Sequence, residues 1–189
     1  MREPLTIGDL TVEPGSKGRG FLPVTNRPGG EPIGLPLLIV HGAQAGPRLS
    51  VVSGVHGDEY EGGEAVRRVW RDLDAARLRG SFVGVPTANV AAFEDGSRLS
   101  PIDYVNLNRV FPGKESGGPS ERIAYALFTQ IARPSDYLID AHGGGNTTAH
   151  APSALYREGT DEALNARIFA LARATGLEWL SHEMVTGGG

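Results

Sequence analysis

Cysteine is absent from the 189 residues. That excludes disulfides, thiolate metal sites and a cysteine nucleophile, so any metal must be held by imidazole and carboxylate. Positive charge is not in excess either: 18 Lys and Arg stand against 22 Asp and Glu, a formal net charge of −4. With no basic footprint, nucleic acid is not an expected partner. Long hydrophobic runs are missing. The apolar run LPLLIV spans only Leu35 to Val40, far short of the roughly 20 residues that cross a bilayer as a helix. The opening MREPLTIGDL lacks the charged-then-apolar pattern of a secretory leader. The expectations are a cytoplasmic protein, no membrane partner and no internal repeat.

What is present is an ordinary globular composition, with 40% hydrophobic and 21% charged residues. The length suits a domain with a buried core. The 27 glycines and 13 prolines punctuate apolar segments rather than forming a linker, which predicts tight turns and close backbone approach to a ligand.

Residues 1–34 alternate weakly and read as a β-arm or small β-element. From residue 35 to 189 the pattern is that of an α/β domain. LPLLIV (35–40) and LSVVSGV (49–55) are continuous apolar runs suited to strands buried on both faces, with HGAQAGP as a turn between them. A helix is predicted from Glu61 to about Leu78, with Ala65, Val66, Val69, Trp70 and Leu73 at helical spacing. SFVGV (81–85) is another strand. Residues 86–118 have no clean period, but Phe93, Tyr104, Val105, Leu107 and Phe111 would anchor the segment as an ordered, functional loop. A helix opening at Pro119-Ser120-Glu121 is stopped by Arg133-Pro134. DYLIDA (136–141) is a strand, a last helix runs from Thr160-Asp161 to Gly176, and LEWL (177–180) suits one more strand. The predicted fold class is α/β, a mixed, largely parallel twisted sheet flanked by helices.

Two strand ends carry chemistry. The first is Gly54-Val55-His56-Gly57-Asp58-Glu59, where a buried strand passes into a helix. Ligands of open α/β sheets bind at the carboxyl ends of strands, and a turn brings residues three apart to one point. The second is Ile139-Asp140-Ala141-His142. If the two strands are parallel neighbours, His142 falls beside His56. Two imidazoles, one carboxylate and an open position form the ligand set of catalytic zinc sites. Asp140, two residues before His142, is placed to orient an imidazole. Against this stands the ordinary reading, in which a strand-end histidine is merely hydrogen-bonded. His41, His150 and His182 are assigned to it; His41 also ends an apolar run but lacks a carboxylate partner.

The stretches GAQAGPRLSVVSGVHGDEYEG, NVAAFEDGSR, PIDYVNLNRVFPG and YLIDAHGG occur in one order between about Gly34 and His150. Together they resemble the succinylglutamate desuccinylase/aspartoacylase family, a branch of the zinc carboxypeptidase superfamily. The resemblance implies one zinc ion per chain held by His56, Glu59 and His142. It implies that Asn108 and Arg109 hold a substrate carboxylate, for which a guanidinium fork is well matched. It places Arg98 at the arginine that polarises the scissile carbonyl or steadies its oxyanion. The implied reaction is hydrolysis of the amide of an N-acyl amino acid or similar small acylated amine, with a carboxylate base moving the water proton to the leaving amine. Cleavage of short peptides by a metallocarboxypeptidase is the enzymatic alternative. The partner is then a small molecule, and a homo-oligomer stays open.

The resemblance breaks at the base. The family's glutamate lies on a strand well downstream of the third ligand. Glu178 and Glu183 are the only glutamates after the last helix, and neither fits that pattern. Two explanations stand. Residues 35–189 are an incomplete domain, with VTGGG as an interrupted glycine-rich loop, or the protein binds zinc and ligand without turnover. The first is favoured, because the sheet would otherwise be unfinished.

Overall fold

A computed structural model describes residues 2–27 and 29–184 of the chain. The elements are β1 (Leu5–Ile7), β2 (Leu10–Val12), β3 (Ser16–Asn26), β4 (Pro32–His41), β5 (Gln44–Ser53), α1 (Glu61–Asp72), β6 (Arg79–Val85), α2 (Val90–Asp95), α3 (Pro119–Ala126), β7 (Tyr137–Ala141), β8 (Ser153–Glu158), α4 (Glu162–Ala174) and β9 (Trp179–Met184). They fall into two compact units, residues 1–148 and 149–189.

The first unit holds a five-stranded mixed sheet in the order β3-β4-β6-β5-β7, and a separate β1-β2 hairpin. β3 runs antiparallel along nearly the whole of β4, and β4 is antiparallel to β6. β6, β5 and β7 are mutually parallel. Parallel order is therefore confined to the half of the sheet that ends at His56 and His142.

Period-two alternation explains why apolar runs, not alternating ones, form these strands. Successive side chains point to opposite faces, and both faces are covered. Leu35, Leu37 and Ile39 of β4 join Val52, Val83 and Val85 in a core closed by Ile123, Leu127 and Ile131 of the α3 segment. Their neighbours Val40 and Phe82 join Val66 of α1 on the other face, packed by Leu38, Val51 and Trp70. The helices thus flank the sheet, as the sequence predicted.

Two boundaries differ here from expectation for local reasons. Residues 44–48 are not a turn but the polar first half of β5, paired to β6 through a bulge between Gln44 and Arg48. β7 pairs only from Leu49 onward, so Pro47 lies where no second neighbour needs its missing N–H. Helix α1 stops at Asp72, six residues early. Leu73 is extended, and Asp74 captures the chain: its carboxylate accepts the Ala76 N–H at 2.9 Å and its carbonyl accepts the Leu78 N–H at 2.9 Å. Such local side-chain bonding competes with helix. The helix begun at Pro119 widens to a π-type turn over Leu127–Ala132 before Arg133-Pro134.

In the second unit β8 and β9 pair in parallel, with α4 between them in the chain. Asp161 caps α4 by accepting the Leu164 N–H at 3.0 Å, and Gly176 beyond its end has φ +71°. β9 begins at Trp179, two residues into the predicted LEWL strand, and extends past its end; β8 was not anticipated. The predicted glycine-rich loop over 185–189 and the Glu183 side chain lie outside the described residues. No described helix is long and apolar enough to cross a membrane.

Leu37 is 1% exposed in the larger core, whereas Phe21 is 64% exposed on β3. Leu37→Ala is expected to cost about 2–5 kcal/mol of unfolding free energy. Phe21→Ala should stay within about 0.5 kcal/mol. Urea melts of both variants check the assignment of the core.

Candidate metal centre

Residues 53 and 141 are paired across the parallel strands β5 and β7. The chain leaves both strands on the same edge of the sheet, which brings the following residues together. The His56 and His142 ring centroids are 5.1 Å apart. Between them lies the carboxylate of Glu59. His56 Nδ1 is 2.8 Å from Oε1, and His142 Nδ1 is 2.8 Å from Oε2. The ligand atoms of these three side chains all lie within 4.8 Å of one another, a group able to hold a metal ion. His56 and Glu59 are 2% and 4% exposed, while the His142 side chain is 32% exposed.

Glycine makes the first turn possible. Gly54 has φ +65°, a region that costs an L side chain strain. A Cβ on Gly57 would run into the backbone of Ala92 in α2. The turn is thereby pressed against α2, which is itself capped by Asn89 accepting the Ala92 N–H at 3.3 Å.

Two more donors reach Glu59. Arg98 Nη1 donates to Oε1 at 3.0 Å, and the Gly143 N–H donates to Oε2 at 3.1 Å. Burial alone would raise the Glu59 pKa. The Gly143 N–H, the His142 bond and the charges of His142 and His56 outweigh it and hold the carboxyl below its ordinary value. His142 moves the other way. Its hydrogen bond to Asp140 is the largest influence; burial opposes, and the Asp140 charge and Glu59 add, raising the pKa to about 9.

The outer nitrogens show what the inner ones are for. His142 Nε2 is 3.0 Å from Asp140 Oδ2, as sequence spacing predicted. His56 Nε2 is 3.3 Å from Asn106 Oδ1. A carboxylate only accepts. Asn106 Oδ1 is identified as the oxygen because it also accepts the Asn108 N–H at 2.9 Å. Both Nε2 atoms are therefore donors, and in the neutral rings Nδ1 is a bare lone pair aimed at an anion. That arrangement is repulsive unless protons or a cation supply positive charge between the three groups. The donor set therefore fits a divalent cation: two imidazole nitrogens and a carboxylate oxygen, with outer partners fixing the ring tautomers.

Residues 45–185 match the succinylglutamate desuccinylase/aspartoacylase catalytic domain. The chain belongs to that family. It is 37% identical over 143 residues to N-alpha-acetyl-L-2,4-diaminobutyric acid deacetylase of Halomonas elongata, covering 75% of this chain and 41% of the relative. Among solved structures it resembles the product-bound ectoine utilization protein EutE (DoeB) of Ruegeria pomeroyi, with TM-score 0.81 and 33% identity over 89% of this chain and 52% of that one. It also resembles a succinylglutamate desuccinylase/aspartoacylase of Rhodobacter sphaeroides, with TM-score 0.77 and 31% identity over 82% and 48% of the two chains. The chain thus spans about half the length of these relatives or less.

Of the residues singled out in the sequence, His56, Glu59, His142 and Arg98 meet at one point. Asn108 and Arg109 lie on a short 3-10 turn, Leu107–Arg109, next to it. Arg109 is exposed, and its Nη1 donates to the Asn108 carbonyl at 3.1 Å; among the described residues neither side chain bonds to the three clustered groups. Leu107 between them is fully buried and pins the turn to the core. His41 is a satisfied core histidine, 3.0 Å from Ser81 Oγ and 2.9 Å from the Glu3 carbonyl. Its pKa is lowered chiefly by burial. His150, His182 and Glu178 are exposed and belong to the second unit.

Sequence reasoning passed over two residues. Asn106 was hidden in NLNR because the resemblance drew attention to Asn108 and Arg109; the available signal was an Asn directly before a short turn, a capping position. Asp58 is buried beside Glu59, and its Oδ2 accepts the Asn146 N–H at 3.4 Å, steadying the loop after His142.

Gly57→Ala is expected to cost at least about 1–3 kcal/mol through overpacking against α2. At Gly159 a Cβ meets nothing within 4 Å, so Gly159→Ala should be near neutral. Thermal melts of the two variants test whether the His56 turn is held by this close approach.

Proposed function

We propose that this chain carries the metal-binding and substrate-anchoring part of a zinc-dependent amidohydrolase that removes the acyl group from an N-acyl amino acid. The observation that carries the reading is the His56–Glu59–His142 group, with its ligand atoms within 4.8 Å of one another and its rings oriented from outside by Asn106 and Asp140. His56, Glu59 and His142 would hold one zinc ion. Bound there, it would lower the pKa of a water molecule and polarise the amide carbonyl.

The remaining steps fall to side chains of this chain. Arg98 already reaches the cluster, and its planar guanidinium suits the charge that grows on the carbonyl oxygen during attack. Asn108 and Arg109 take the carboxylate end of the amino acid, Arg109 through a two-pronged charged bond. That grip fixes the scissile amide relative to the metal and favours substrates bearing a free carboxylate. Both Glu59 oxygens are on imidazoles, so Glu59 is not suited to shuttle protons. The proton-transferring carboxylate is assigned to no residue of this chain.

The Halomonas elongata relative supplies the first substrate to try. An N-acetylated diamino acid combines an acetyl amide, a carboxylate for Arg109 and a small body. The full-length protein should bind one zinc per chain and release acetate from such a substrate. His56→Ala should abolish zinc retention and turnover together. Arg98→Ala should lower kcat about 10²–10³-fold, the usual loss of one oxyanion donor. Arg109→Ala should mainly raise KM, by roughly ten- to hundredfold for a charged bond of about 1.5–3 kcal/mol. Turnover of dipeptides but no N-acyl amino acid would replace the deacylase reading with a carboxypeptidase. Zinc binding with no hydrolysis of either class would leave a binding module.

A further inference from the structure

Asn106 has two tasks on one oxygen. Oδ1 accepts the Asn108 N–H at 2.9 Å, closing the turn that carries Asn108 and Arg109, and it faces His56 Nε2 at 3.3 Å. Its own carbonyl accepts the Arg109 N–H at 2.9 Å. The turn is anchored below by the fully buried Leu107. Asn106 is thus the one described residue that both caps the Asn108–Arg109 turn and touches a ring of the metal cluster.

The two histidines are held differently. His142 has a carboxylate, Asp140 Oδ2, on its outer nitrogen. His56 has a neutral amide there. His56 is only 2% exposed, so water has little access to its ring if that acceptor is lost. A buried imidazole whose Nε2–H has no acceptor is free to change tautomer, and the lone pair then leaves Nδ1, the atom that faces Glu59.

We propose that Asn106 is a positioning residue that locks His56 in the Nε2–H tautomer and thereby couples the substrate-anchoring turn to the metal site. This rests on the zinc reading of the cluster. Three substitutions separate the tasks. Asn106→Ala removes both bonds. Asn106→Ser keeps a short oxygen able to cap the Asn108 N–H but unable to reach His56. Asn106→Asp keeps both acceptors at the same reach.

Zinc affinity is measured by competition with a chelating indicator on the full-length protein, beside the visible spectrum of the cobalt-substituted form. The expected result is a ten- to hundredfold weaker zinc Kd for both the Ala and Ser variants, the usual effect of losing an outer partner of a ligand. Their cobalt bands should be altered, and the Asp variant should recover affinity and spectrum. If the Ser variant binds as the wild type does while Ala is weak, capping alone matters and the coupling is refuted. Wild-type affinity in both Ala and Ser variants refutes it as well. A wild-type protein that takes up neither metal brings down the zinc reading and this role together, a result that is distinct because it shows before any substitution is made.

Discussion

The Glu59 carboxylate is almost wholly withdrawn from water, with an imidazole nitrogen 2.8 Å from each oxygen and a guanidinium 3.0 Å from one of them. A buried carboxylate is tolerated only when paired and hydrogen-bonded on every side. Here the partners come from three separate stretches: the turn after β5, the loop carrying Arg98 and the end of β7. None can shift without leaving a charge uncompensated. The parallel register that sets Ser53 beside Ala141 makes the meeting of His56 and His142 a consequence of backbone pairing, so the precision of the cluster is inherited from the sheet.

The loop from 86 to 118 is the second support. It is long and aperiodic, yet it is tied down at defined points: Asn89 capping α2, α2 pressed on Gly57, Leu107 in the core, and Asp103 accepting the Ser120 N–H and hydroxyl at 2.9 Å. Rigid attachment of a functional loop to a scaffold is what lets loop residues act on a site built from strand ends. Tyr104 within it adopts φ +56°, a conformation uncommon outside glycine. The strain is local to the segment between Arg98 and Asn106, where the chain must reverse to deliver both to the cluster.

Much of this was legible in the chain because burial leaves a periodic trace. Apolar runs 35–40, 49–55 and 81–85 lie within β4, β5 and β6, or run just past the end of β5, and a histidine follows two of the parallel strands. The His–Glu spacing and the second histidine were enough to bring three ligands to mind. What stayed hidden depends on polar or nonlocal contacts. The polar start of β5 has no apolar signal, since only β6 needs it. The early stop of α1 is decided by one Asp74 carboxylate. The capping role of Asn106 leaves a local trace, but its contact with His56, fifty positions away, is invisible until folding sets the two together. Short β8, between Pro152 and Gly159, is too brief for its alternation to stand out.

The central claim is that His56, Glu59 and His142 form a single cation site through two Nδ1 atoms and one carboxylate. X-ray absorption at the zinc edge of the stoichiometrically loaded protein tests it most directly. The account predicts a first shell of nitrogen and oxygen at about 2.0–2.1 Å with the outer-shell scattering of two imidazoles. In Glu59→Ala that shell should be lost. A zinc ion with one imidazole or none, or a spectrum unchanged by Glu59→Ala, would contradict it.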